Sequence, residues 1–201
     1  MPDLGQSAWS DQRYRTLVID PPWPLQIGSK RTDRSTSRTW NMHHDIRPVP
    51  YPTMTLDAIT ALPIEQLADD SAHIYVWTIN RFLEATFGIV RGWGFTPGQV
   101  LTWAKSPMGL GPGGAFAQTS EFVIFGRRGT APHLSRIDRT VFDWKRPYRP
   151  DGKPAHSVKP DAFLDMVERV SPEPRAELFA RRARFGWHYP IGDQALGGVA
   201  A

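Results

Sequence analysis

Short apolar runs, separated by long polar stretches, set the rhythm of this chain. Arg15 to Asp20 contains Leu17-Val18-Ile19, an unbroken run that suits a strand buried on both faces of a parallel sheet. Ala72 to Thr78 (AHIYVWT), Val100 to Trp103, Glu121 to Gly126 (EFVIFG) and Arg175 to Ala180 (RAELFA) repeat the pattern. Elsewhere the period changes. Leu83, Phe87 and Val90 fall at helical intervals within residues 81–91, and Phe163, Met166, Val167 and Val170 form one apolar face between Pro160 and Val170. Thr55 is an N-cap for a shorter helix over Leu56 to Leu62, and Pro160 opens the last helix, where its missing N–H costs nothing. A further short strand is expected near Val141 to Trp144. Strands that alternate with helices predict an α/β fold with a mostly parallel sheet. No repeat or composition break divides the chain, so residues 1–201 read as a single domain.

The irregular segments differ from one another. Residues 1–12 read as an irregular lead-in and residues 195–201 as a frayed tail. Residues 24–50 have no period but carry Lys30, Arg31, Arg34, Arg38, Trp40 and the pair His43-His44. A loop this long is functional or disordered. Its basic residues suit phosphate contacts with Trp40 stacked on a base, whereas adjacent histidines are poorly spaced as metal ligands. Residues 105–118 form a second flexible loop whose glycines lack the Lys-Ser/Thr ending of a phosphate-binding loop. In residues 129–158, Phe142, Trp144 and Tyr148 interleave with Arg136, Arg139, Lys145, Arg146, Arg149 and Lys153. That pattern fits either a base-stacking surface or a hydrophobic cluster beneath a solvated loop.

Composition narrows the classes. The chain has 201 residues, a formal charge of +4 and no cysteine, which excludes disulfides and thiolate metal sites. No apolar run approaches the roughly 20 residues needed to span a bilayer, and the first residues lack a signal-peptide pattern. A soluble cytoplasmic protein is expected, with no membrane partner. The mild basic excess suits an anionic partner.

The chemistry concentrates in Asp20-Pro21-Pro22-Trp23, directly after the first strand. Ligands of open α/β sheets sit outside the carboxyl ends of the strands. There the Asp20 carboxylate and the Pro21 carbonyl are acceptors held in fixed directions by the prolines, and Trp23 offers a flat face. This set reads as a clamp for an aromatic amine, with adenine the obvious candidate.

DPPW, then YPTMT, YVWT before a helix, EFVIFGRRG, KPD before an amphipathic helix, ELFAR, and finally GW and GDQ occur in that order. This order resembles the MT-A family of N6-adenine methyltransferases over about Tyr14 to Gln194, and the chain looks like a bacterial or phage-borne member. The resemblance implies a Rossmann-like methyltransferase fold in permuted motif order, with helices on both faces. RTLVID would be the catalytic strand and RAELFA its neighbour, the cofactor strand, in mid-sheet. It implies S-adenosylmethionine as cofactor and Asp20, Pro21, Pro22 and Trp23 as catalytic residues. The acceptor side would hold Tyr51, Glu121 and Lys159; the cofactor side would hold Asp20, Lys159, Arg181, Asp193 and Gln194. No metal is implied. Asp20 and the Pro21 carbonyl would accept the two N6 protons while Trp23 or Tyr51 stacks on the base. The partner is expected to be nucleic acid, DNA ahead of RNA, with a protein partner or a second copy of the chain left open.

Three departures stand out. The segment after ELFAR is short and lacks a His-Asn pair, which leaves Arg182 and Arg184 as substitutes. Almost nothing precedes Tyr14 to line a cofactor adenine. No separate RNA-binding domain is evident. Rival readings are a non-catalytic nucleic-acid-binding subunit and an N4-cytosine methyltransferase, a chemistry usually served by Ser-Pro-Pro.

Overall fold

Strand β1 (Tyr14–Ile19) lies at the heart of the molecule because its apolar run is covered on both sides. The computed structural model describes residues 12–27, 47–48, 52–105, 116, 118–148, 151–152 and 158–191. Beside β1 run β4 (Ala68–Thr78) and β8 (Arg175–Leu178), both parallel to it. The seven-stranded sheet is completed by β5 (Thr96–Ala104), β6 (Ser120–Arg128), β7 (Val141–Phe142) and β9 (Trp187–His188), in the order β7-β5-β6-β4-β1-β8-β9. Only β6 opposes the others, pairing antiparallel with both β4 and β5. The fold is therefore the expected α/β Rossmann-like arrangement, mostly parallel. The two named strands are neighbours as expected, although β8 lies next to the two-residue edge strand β9 rather than in mid-sheet.

Alternating side chains divide the core. Leu17, Ile19, Ile74, Val76 and Ile124 face α1 (Leu56–Thr60), α2 (Ile64–Leu67) and α3 (Leu83–Gly92) through Ile59, Ile64, Leu67, Ile89 and Val90. Val18, Tyr75, Trp77 and Val123 face α4 (Asp161–Val170) through Phe163, Leu164, Met166 and Val167. The stripe on α4 follows the helical period, with Asp161 at its positive end and Arg169 at its negative end. A buried polar chain ties this helix to the sheet. Tyr75 Oη and His73 Nδ1 meet Ser171 Oγ at 2.7 and 2.8 Å, and His73 Nε2 lies 3.3 Å from the Ala131 carbonyl.

Several element boundaries differ from the sequence expectation. Strands β4 and β5 begin earlier, because Ala68 pairs with Tyr14 ahead of a register shift and Thr96, Pro97 and Gln99 pair with β6. Pro160 is the cap of α4 rather than its first helical residue. Strand β8 stops at Leu178 because Phe179 turns into the left-handed region at φ 61°, held by a 3.1 Å bond from its N–H to the Ile191 carbonyl. Helix α2, edge strand β9 and the 3-10 turn Asn80–Phe82 had no sequence signal strong enough to name them. Within residues 24–50, Gln26–Ile27 (β2) pairs antiparallel with Arg47–Pro48 (β3); the rest, including His43 and His44, lies outside the described residues.

Of the two readings for residues 129–158, the hydrophobic cluster is the one observed for Phe142 and Trp144. Their rings stack at 4.3 Å, and Trp144 also meets the edges of Trp77 and Phe163.

Candidate active site

A row of four partly buried charges crosses the carboxyl edge of the sheet. Asp20 Oδ2 lies 2.9 Å from Lys159 Nζ, which lies 3.5 Å from Glu121 Oε2, and Glu121 Oε1 pairs with Lys105. The fold explains how residues so far apart in sequence meet. Asp20 follows β1, Lys105 follows β5, and Glu121 begins the one strand running the other way, so its first residues reach the same edge. Lys159 arrives from the segment before α4. Arg182 fixes that segment by donating to the Lys159 carbonyl at 3.2 Å and to Asp161 Oδ2 at 2.8 Å. Each ammonium also caps an indole: Lys159 Nζ is 5.1 Å from the Trp77 ring centre and Lys105 Nζ 4.8 Å from that of Trp103.

Burial and neighbours pull these groups in different directions. Burial pushes the Asp20 carboxyl up, and Lys159 only partly offsets it, so Asp20 lies above the usual carboxylate range. Burial would raise Glu121 too, but Lys159 and Lys105 together outweigh it and hold that carboxyl low. Burial would lower Lys159, yet Asp20 and Glu121 keep its ammonium charged well beyond the ordinary range. The contrast between the two carboxylates follows from cation count: Glu121 has two ammonium partners and Asp20 one.

The Asp20-Pro21-Pro22-Trp23 turn is wired into the scaffold. Trp23 N–H donates to the Pro21 carbonyl at 2.8 Å, and Met54 N–H donates to the Pro22 carbonyl at 2.8 Å. Pro21 thus keeps one lone pair for another donor. The stacking role read for Trp23 is corrected. Its indole is 5 % exposed, stacks on Phe82 at 5.1 Å and donates Nε1–H to the Trp77 carbonyl at 3.1 Å, so it buttresses the turn instead of offering a face. Arg181 lines a cavity of about 210 Å³ with Asp20, Pro21, Lys105, Glu121, Arg146 and Lys159. Arg182 and Arg184 are engaged elsewhere, on carboxylates of α4; Arg184 grips Glu168 twice at 2.7 Å. Tyr51, Asp193 and Gln194 lie outside the described residues.

The model of the MT-A70 family matches residues 14–194. The chain belongs to the MT-A70 family. It is 29% identical over 179 residues to an N(6)-adenosine-methyltransferase MT-A70-like protein of Drosophila melanogaster, covering 84% of this chain and 24% of that one. It is 29% identical over 204 residues to a probable N(6)-adenosine-methyltransferase MT-A70-like of Oryza sativa subsp. japonica, covering 97% and 26%. To the N(6)-adenosine-methyltransferase subunit METTL3 of Danio rerio it is 24% identical over 179 residues, covering 84% and 26%. The chain therefore spans about a quarter of the length of these relatives.

In this MT-A70 chain the structure adds residues that sequence reasoning did not single out. Lys105 carried no signal beyond standing at the root of a glycine-rich loop. Glu177 was read only as part of an apolar strand, although a carboxylate in the middle of RAEL was the available clue. It pairs with Val18 in register, one step below Asp20 on the same face, and is 8 % exposed. Burial, then the neighbouring Asp20, push its carboxyl up to about 7, and its Oε2 finds no hydrogen-bond partner among the described residues. Trp77, 1 % exposed, likewise has an indole N–H with no acceptor there. A larger cavity of about 790 Å³ lies on the α4 face, lined by Tyr75, Leu101, Phe125 and Phe142. It holds none of the charged row, so the smaller cavity is the chemical one. Among the described residues no cluster of three His, Cys, Asp or Glu could hold a metal, and no helix is long and apolar enough to cross a membrane.

Proposed function

We propose that this chain transfers a methyl group from S-adenosylmethionine to the N6 amine of adenine in nucleic acid. The observation that carries the reading is the partly buried row Asp20–Lys159–Glu121–Lys105, placed at the turn after the central strand. When bound, the cofactor supplies an electrophilic methyl on a sulphonium. The residues present suit such a molecule: Glu177 Oε2 is a buried acceptor in need of a donor and Trp77 Nε1–H a buried donor in need of an acceptor. Vicinal hydroxyls and a carboxylate would answer those needs, and Lys159 and Arg181 line both the cavity beside Trp77 and the one beside Glu177.

Asp20 does the work on the amine. With Oδ2 committed to Lys159 at 2.9 Å, Oδ1 is left to accept one N6 proton, and the remaining Pro21 lone pair takes the other. Two such bonds draw the nitrogen lone pair out of the ring system and aim it at the methyl carbon. A bound cofactor would supply the methyl, with the electrons of its carbon–sulfur bond left on sulfur, and the surplus N6 proton would pass to solvent. Positioning and preorganised acceptors supply the acceleration. A duplex substrate must first present the base outside the stack. The relatives' names say adenosine and the charged site itself does not choose between polymers, so DNA and RNA stand side by side in the assay. The relative named as a subunit makes a protein partner a second variable.

The test is transfer of labelled methyl to DNA and RNA oligonucleotides. Transfer to neither, with cofactor bound, would sink the proposal. Asp20→Ala is expected to bind cofactor and transfer nothing, and wild-type turnover in that variant would refute the clamp.

A further inference from the structure

Lys105 touches neither Asp20 nor Lys159, yet it completes the row that holds them. It pairs with Glu121, stands over the Trp103 ring at 4.8 Å, and its backbone N–H is pinned to the Thr119 carbonyl at 2.8 Å. Glu121 is shared: one oxygen faces Lys105 and the other faces Lys159 at 3.5 Å. Lys159 in turn sits nearer to Asp20, at 2.9 Å, than to Glu121. We propose that Lys105 is a positioning residue which, by occupying Glu121, leaves Lys159 free to orient Asp20 toward the acceptor amine.

The argument is one of balance. Two cations and two anions alternate along the row, so each interior group is pulled from both sides. Removing Lys105 leaves Glu121 with a single cation to draw on, and Lys159 moves its share of attraction from Asp20 to Glu121. Low-dielectric surroundings magnify the effect, since the four side chains are between 14% and 26% exposed. The groups that face Asp20 are Lys159, Glu121, Arg181 and, from β8, Glu177. Loss of Lys105 raises the Asp20 carboxyl further by two routes, the weakened Lys159 bond and the uncompensated Glu121 charge. Glu121→Gln has the opposite sign: it removes a nearby negative charge and gives Lys159 wholly to Asp20.

The proposal rests on the methyl-transfer reading only for its kinetic arm. Carbon NMR titration of the Asp20 side chain is the arm that needs no activity. The Asp20 midpoint is expected to rise in Lys105→Ala, fall in Glu121→Gln, and return toward wild type in Lys105→Arg. In the kinetic arm, Lys105→Ala lowers kcat about tenfold at neutral pH, within the roughly hundredfold that a misplacement of an ångström costs. The acid limb of the rate profile shifts to higher pH, and KM for the oligonucleotide is unchanged. In a double-mutant cycle, Lys105→Ala adds little to Glu121→Gln, since Lys105 acts through that carboxylate. An Asp20 midpoint that ignores both substitutions overturns the proposal. So does a Lys105→Ala variant with raised oligonucleotide KM and unaltered kcat, which would make Lys105 a phosphate contact. A wild-type chain with no transfer activity would count against the methyl-transfer reading alone, and the titration would still decide the role of Lys105.

Discussion

Replacing Glu177 with glutamine probes the least comfortable group in the molecule. The carboxyl is 8 % exposed on β8, and one of its oxygens has no partner among the described residues. Burial, and next the Asp20 charge, raise it from an ordinary 4.5 to about 7. Between these two values the folded chain holds a proton that the unfolded chain has already released. Stability contributed by the protonated form is therefore complete below the unfolded value and is lost as pH rises through about 7. A gap of about 2.5 units, at about 1.4 kcal/mol per unit, amounts to about 3.5 kcal/mol in full, most of it between about pH 5 and about pH 8. Glutamine has the same shape and does not titrate. The difference in unfolding free energy between Glu177→Gln and wild type, read from urea denaturation, should thus move in favour of the variant by about 3 kcal/mol from about pH 5 to about pH 8.

The comparison isolates Glu177 and its coupling to Asp20, because the more distant titrations appear in both proteins. A difference that is the same at both pH values would show that Glu177 is ionised and comfortable, and the reasoning about its burial would fall. The same variant should bind S-adenosylmethionine more weakly by calorimetry, since an ionised carboxylate is the stronger acceptor for hydroxyls. Gained stability with lost affinity is the pattern expected where a site holds a strained polar group for function.

His73 behaves in the opposite sense. Burial lowers it to about 4, so the unfolded chain takes up a proton first, and the wild type should lose about 3 kcal/mol relative to His73→Phe as pH falls from about 6.5 to 4, measured by the same method. Gly129→Ala should cost about 2 kcal/mol or more by thermal melting, since the residue has φ +58° and an added methyl would overlap the Asp70 carbonyl. Glu168→Ala removes the acceptor shared by Arg184 and the Trp187 indole and should cost about 1 to 3 kcal/mol, with cofactor affinity intact. A matching loss of affinity would place Arg184 back among the cofactor contacts.

The sequence made the architecture legible where local and tertiary signals agreed. Leu17-Val18-Ile19 must be covered on both faces, and α4 and α1–α3 cover it. Asp20 stood out because it sits in a short pattern with a chemical reason, and Lys159 only because KPD before an amphipathic helix resembles a family motif. What could not be read was partnership. Trp23 looked like a free stacking face because nothing local reveals that Phe82 fills it. Lys105 looked like an ordinary loop lysine, because its partner lies across a hairpin. Glu177 was hidden by its apolar neighbours Ala176 and Leu178, whose side chains point to the other face.

The reversed direction of β6 has a structural corollary. With β5 it forms a hairpin whose mouth opens onto Asp20, closed at its base by the bond between Lys105 N–H and the Thr119 carbonyl. Loop closure entropy grows only slowly with length, so residues between those two points can be exchanged or extended with little penalty to the ladder below. Lys105 and Glu121, half of the charged row, stand at the stem of that hairpin, where the ladder fixes them. A change of length or sequence between those two points is thereby uncoupled from the spacing of Lys105 and Glu121, which the stem sets on its own.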